Sequence, residues 1–120
     1  MLMKSLPITG LIRGEGRLVR QAGSMHRFGH VVLTIEPNNE GTFKYCWEVA
    51  PERIPEAYKH AVKLGVIGLF SNGAKYEGWS LDGITVRVID GSFHETDSNE
   101  VSFVLAAAEA LSNAVTQLNL

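Results

Sequence analysis

Between residues 101 and 118 apolar side chains recur at Val101, Val104, Leu105, Ala108, Leu111, Val115 and Leu118. Steps of three and four residues place them in one continuous stripe along an α-helix. Ala106, Ala107 and Ala110 beside the stripe allow close packing. A helix striped on one side must bury that side against an apolar surface made by the rest of the chain. Its start is marked by Asp97, an N-cap whose carboxylate can accept from the free N–H groups of the first turn. Glu100, three residues on, completes a capping box.

The surface it needs is a sheet, because most of the preceding chain alternates with strand period. Gly14 to Ala22 reads as a strand, with Arg17, Val19 and Gln21 on one face and Leu18 and Arg20 on the other. After the polar connection 23–29, His30 to Ile35 sets Val31, Leu33 and Ile35 against Val32 and Thr34, and the two strands form a hairpin. Beyond the turn formers of 37–41, Phe43, Tyr45, Trp47 and Val49 alternate with Thr42, Lys44, Cys46 and Glu48, the clearest strand in the chain. Pro51 and Pro55 suit the first turn of a helix running to about Phe70, and Asn72-Gly73 supplies its stop. Residues 71–80 read as a loop. Ile84 to Ile89 is a further strand, closed by an Asp90-Gly91 turn. Three strands, a helix, a strand and a helix imply an α+β two-layer sandwich, a mostly antiparallel four-stranded sheet with both helices on one face.

At 120 residues the chain fits a single domain, 1–120, and 45% hydrophobic with 20% charged residues is a globular composition. The longest apolar stretch, Val101 to Ala108, is far short of the roughly 20 residues that span a bilayer, and nothing before residue 10 resembles an export signal. Membrane association is therefore not expected and a cytoplasmic location is. Cys46, alone, can form neither an intramolecular disulfide nor a cysteine-pair zinc site. A net charge of −2 argues against coating nucleic acid by charge alone, but residues 1–30 carry Lys4, Arg13, Arg17, Arg20 and Arg27 against Glu15. That quarter is electropositive by +4, which leaves −6 on the remaining 90 residues.

Among motifs with a chemical rationale, the chain has no phosphate-binding Gly-rich loop ending in Lys-Ser or Lys-Thr, no GxSxG elbow, no HExxH helix and no EF-hand loop. The titratable residues worth weighing are His26, His30 and His94 with Asp90 and Asp97. Histidine beside carboxylate can act as a general base or hold a metal-bound water. Their spacing matches no recognised signature, so an enzyme, a cofactor and a metal centre are not expected.

Two segments, residues 15–23 leading to Phe28-Gly29-His30-Val31, and Asp90 to Glu100, together resemble domain IV of translation elongation factor G. Ile35-Glu36-Pro37, the proline-marked helix start at 51–55 and Gly78-Trp79 fit the same family, so the resemblance covers about residues 13–115. It implies the split β-α-β fold shared with a small-subunit ribosomal protein, which admits a left-handed crossover. In that family the loops matching 23–29 and 90–94 lie at the tip that enters the decoding centre during translocation. His94 matches a tip histidine, Arg27 falls at a polar position, and Arg20 and Gln21 match the strand leading there.

Ser24-Met25-His26 replace the family's glycine- and arginine-bearing loop, Asn99 replaces a serine, and 71–77 includes an insertion. The family's GTPase domain is absent from these 120 residues, so no GTP hydrolysis is expected of them. The resemblance implies a module that binds the ribosome or structured RNA through Arg20, Gln21, Ser24, His26, Arg27, His30 and His94. Its rivals are a protein-interaction or self-association domain that kept the fold and lost RNA binding and, least favoured, a small hydrolase using His94 and Asp97.

Overall fold

The computed structural model describes residues 3–23 and 25–120, with Met25 described by its backbone alone. In chain order the elements are β1 (Lys4–Ser5), β2 (Ile12–Ala22), β3 (Met25–Pro37), β4 (Lys44–Trp47), α1 (Lys59–Gly68), β5 (Trp79–Ser80), β6 (Ile84–Ser92) and α2 (Glu100–Thr116). A single 3-10 turn, Glu56–Tyr58, leads into α1. Four strands form the main sheet in the order β2-β3-β6-β4, antiparallel except for the β4–β6 pair. The β2–β3 hairpin pairs without interruption from Ile12↔Ile35 to Ala22↔Met25. Both helices pack on one another, and α2 lies across β2 and β3. This is the α+β two-layer sandwich that the pattern implies, with Leu33, Ile35, Val62, Val66, Val86, Phe103 and Leu111 fully buried between the layers.

The face α2 turns to the sheet differs from the expected stripe. Val101 and Leu105 are 47% and 39% exposed, whereas Ser102, Phe103, Ala106, Ala107, Ala110, Leu111, Ala114 and Val115 are buried. The reason lies in the sheet. Gly14 and Gly16 on β2 and Gly29 on β3 present no side chain beneath the helix. An added Cβ would stand 2.1 Å from the Ala110 carbonyl oxygen at Gly14, 2.1 Å from that of Ala106 at Gly16 and 2.6 Å from that of Ser102 at Gly29. A surface without side chains admits the helix backbone itself, and only small residues fit between. Size complementarity thus outranks hydrophobicity in choosing the inward face. Gly65 repeats the device between helices, where a Cβ would lie 2.2 Å from the Val104 carbonyl oxygen.

Several boundaries also shift. The N-cap of α2 is Asn99 rather than Asp97: its extended backbone aims Oδ1 at the Ser102 N–H, 2.9 Å away. Asp97 instead offers its backbone carbonyl to the Phe28 N–H at 3.1 Å. Residues 51–54 form turns rather than helix, with the Ala50 carbonyl accepting from Arg53 and Ile54, so α1 is shorter than its prolines suggested. The strand expected over 42–49 pairs only at 44–47, because β4 has one neighbour and leaves the edge of the sheet where β6 ends its parallel register. Asp90-Gly91 makes no turn. The register shifts between Val32 and Leu33, leaving Ile89 opposite no partner, and β6 runs on through Gly91 to Ser92. At Gly91 a Cβ would meet the His30 carbonyl oxygen at 2.2 Å, so the glycine serves close approach rather than reversal. Residues 79–80, read as loop, pair in parallel with β1.

Two stability outcomes follow. Gly16→Ala should lower unfolding free energy by about 2–3 kcal/mol in urea titration, since a methyl group there overpacks against helix backbone that cannot rotate away. Asn99→Ala should cost about 1 kcal/mol as a lost cap, and Asp97→Ala measurably less; equal losses would return the capping role to Asp97.

Candidate nucleic-acid interface

The β2–β3 ribbon outruns the helices. Gly29 is its last position beneath α2, so the rungs from Val19↔Phe28 to Ala22↔Met25 project beyond the sandwich by on the order of 13 Å. Arg20, Gln21 and His26 lie open, with Val19 at 54%, and Arg27 and Phe28 are half-buried. Register makes Arg20 and Arg27 direct cross-strand partners on one face and Gln21 and His26 partners on the other. Ser24, expected at this tip, lies outside the described residues.

Loop 93–99 is fastened to the ribbon's base. The Ser98 hydroxyl donates to the Phe28 carbonyl at 2.8 Å, the Phe28 N–H donates to Asp97, and the His94 N–H donates to the Ser98 hydroxyl at 2.9 Å. Tyr58, stacked on Phe103 with ring centroids 4.5 Å apart, donates its hydroxyl to the Ser98 carbonyl and ties the loop to α1 as well. The His94 side chain is exposed, and its Nδ1 lies 3.3 Å from the N–H groups of Thr96 and Asp97 and 3.0 Å from the Thr96 hydroxyl. With Nδ1 accepting, the neutral ring carries its proton on Nε2, which makes no hydrogen bond among the described residues and can donate outward.

The expected tip histidines therefore separate. His26 stands on the projecting ribbon and His94 in the loop fastened to its base at Phe28, whereas His30 is 9% exposed and lies in the sandwich. Its Nδ1 is 2.9 Å from Ser92 Oγ and its Nε2 bonds the Glu15 carboxylate, so one ring joins β2, β3 and β6 on the sheet face opposite the helices. Asp90 pairs instead with Arg53, at 2.9 Å, so the five weighed histidines and aspartates form no single cluster. Ser98, the loop's anchor, went unread because a serine hydroxyl between two polar residues carries no periodic signal. The Arg17 guanidinium, 5.4 Å from the Phe28 ring centroid, likewise depends on a cross-strand register that sequence alone does not fix.

Charge on the open sheet face is largely cancelled. Arg13 lies 3.6 Å from Glu15, and Arg87 bridges Glu36 and Glu48. At the ribbon tip it is not: among the described residues Arg20 and Arg27 form no ion pair, although they sit directly opposite one another. Like charges on facing positions destabilise a sheet by a few tenths of a kcal/mol or more. An anion bound across the pair would relieve that repulsion, and two guanidinium groups suit phosphate oxygens. The next rung, Gln21↔His26, offers amide and imidazole donors on the other face of the ribbon.

Two carboxylates have shifted affinities for protons. The hydrogen bond from His30 holds Glu15 below its ordinary value of 4.5, with Arg13 adding to the effect. The Gly91 backbone N–H, followed by Arg53, lowers Asp90 in the same way. A lowered carboxylate pKa means that the clamp contributes stability at neutral pH and loses it as pH falls from about 4.5 through the folded-state value. The melting temperature should fall over that range, and Glu15→Gln should flatten part of the fall while lowering stability at neutral pH. An unchanged acid limb in the variant would remove Glu15 from the account.

The family described as elongation factor G, domain IV, matches residues 9–118. Among solved structures, a crystal structure of a protein from Thermus thermophilus superimposes with a TM-score of 0.81 at 27% sequence identity, covering 92% of this chain and 16% of that one. The chain thus corresponds to a small part of a much longer relative. With residues 9–118 matched, the chain belongs to the elongation factor G domain IV family.

Proposed function

We propose that this domain IV module acts in translation by inserting the β2–β3 tip against ribosomal or other structured RNA, in the decoding-centre region where the family places its tip, and that it catalyses no reaction of its own. The observation that carries the proposal is the Arg20–Arg27 rung, an unneutralised pair of guanidinium groups held at the projecting end of a chain whose net charge is −2. Cross-strand pairing sets the two arginines opposite one another, the anchored loop holds His94 beside the ribbon's base, and paired charges elsewhere on the sheet favour the tip as the phosphate-attracting point. Such a surface reads the shape and phosphate path of folded RNA rather than base sequence. GTP hydrolysis has no place in the activity of these residues, and a cytoplasmic site of action follows from the translation role.

One observation favours a second reading, a protein-contacting domain. Leu64 on α1 and Val101 and Leu105 on α2 are exposed on the outer side of the helix layer. Apolar residues grouped in this way mark contact surfaces more often than solitary ones do.

Co-sedimentation with ribosomal subunits at low and high salt separates the two. Binding should weaken as salt rises. Arg20→Ala with Arg27→Ala should reduce affinity at least tenfold and lower the slope of log K against log salt by about one unit per lost phosphate contact. His94→Ala should weaken binding less. Stability of the double variant should be equal to or slightly above that of the parent, since a like-charge pair has been removed. Pelleting that ignores the double substitution overturns the tip proposal, and a stable dimer that never pellets favours the second reading.

A further inference from the structure

The two edges of the sheet are treated differently. At the β2 edge, α2 lends side chains to the strand: Asn113 donates to the Glu15 carbonyl at 2.6 Å and Gln117 to the Arg13 carbonyl at 2.8 Å. These carbonyls, two residues apart on β2, point the same way, so the edge is partly satisfied and blocked to another chain. No such cover exists at β4 among the described residues. Glu48 donates its N–H inward to Val88 at 2.9 Å; by the alternation of a strand, the backbone groups of Tyr45 and Trp47 therefore point outward from the sheet.

Beside this edge runs a groove of about 520 Å³ between β4 and the start of α1. Phe43 and Tyr45 form its strand wall, and Ala57, Lys59, His60 and Lys63 its helix wall. Tyr45 is held in place by its hydroxyl, which donates to the Lys59 carbonyl at 2.8 Å, and burial raises its pKa so that it stays a donor. The wall is aromatic and bordered by ammonium groups in a chain that is acidic overall.

We infer that the β4 edge and this groove bind an extended acidic peptide segment of another protein, added to the sheet as a fifth strand. Backbone N–H and C=O groups of the segment pair with those of Tyr45 and Trp47. Its groove-facing glutamates lay their methylene stems on Phe43 and Tyr45 and reach Lys59 and Lys63 with their carboxylates. Strand addition beside a helix draws affinity from main-chain hydrogen bonds and selectivity from alternate side chains. The strand edge favours a peptide over RNA, because its open N–H and C=O groups pair with a peptide backbone and not with a sugar-phosphate chain. A second copy of the chain is disfavoured because edge-to-edge pairing would bring two sets of these lysines together.

The test is an NMR titration of the isotope-labelled chain with an acetylated, amidated octapeptide alternating threonine and glutamate. Saturable shifts of the amides of residues 44–48 and 57–63 are expected. Binding should weaken at least tenfold for Lys59→Glu with Lys63→Glu, fall with salt in the parent protein, and vanish when alternate peptide amides are N-methylated. The proposal is overturned if no saturable shift occurs, if a threonine–lysine octapeptide binds as well, or if N-methylation has no effect. It is equally overturned if oligouridine of eight nucleotides occupies the groove in preference to the peptide, or if shifts at 44–48 track protein concentration alone. The salt series on the parent protein decides the electrostatic part independently of how the double variant folds.

Discussion

Everything at the projecting end of this domain depends on how near α2 comes to the hairpin. Gly14, Gly16 and Gly29 clear a side-chain-free strip on the sheet, and Ala106, Ala110 and Ala114 lie along it. The strip ends at Gly29, so the ribbon emerges beyond it with its register already fixed by seven paired rungs and a helix packed on its lower half. The start of α2 is placed by the same contact, and with it the loop that Ser98 fastens to Phe28. One packing decision thus sets the height of the tip and the position of His94.

The opposite face of the sheet is organised by electrostatics rather than by packing. Glu15, His30 and Ser92 hold three strands together through one imidazole, and Arg87 ties β6 to both of its neighbours through Glu36 and Glu48. Charges used in this way do not attract a partner. The contrast with Arg20 and Arg27, which are matched to each other rather than to acids, makes the tip chemically distinct within a surface that otherwise carries both signs.

Much of the architecture was legible in the sequence. Strand alternation in β2, β3 and β6 and helical recurrence in α2 indicated the layers and their order, and correlated segments pointed to the family. What escaped has a common cause. Helix orientation, the Asn99 cap and the path through Asp90-Gly91 are settled by the partner surface, not by the local run of residues. Alanines go inward because glycines lie opposite, and Gly91 stays in a strand because the His30 carbonyl presses on it. Of the candidate residues, Arg20, Gln21, His26 and Arg27 lie on the projecting rungs and His94 in the loop at their base, while strand alternation turns His30 toward Glu15 and Ser92.

The hydrogen bonds from Asn113 and Gln117 to Glu15 and Arg13 span 98 and 104 residues of chain. With α2 itself resting on β2, the earliest long strand finds its cover only when the last helix has been made. Loops of that length close slowly, and a nascent chain carrying the hairpin must wait with its glycine strip bare until residues near 117 have left the exit tunnel. The domain therefore folds after its synthesis is nearly complete, and until then the strip that will receive α2 is open to chaperones or to neighbouring nascent strands.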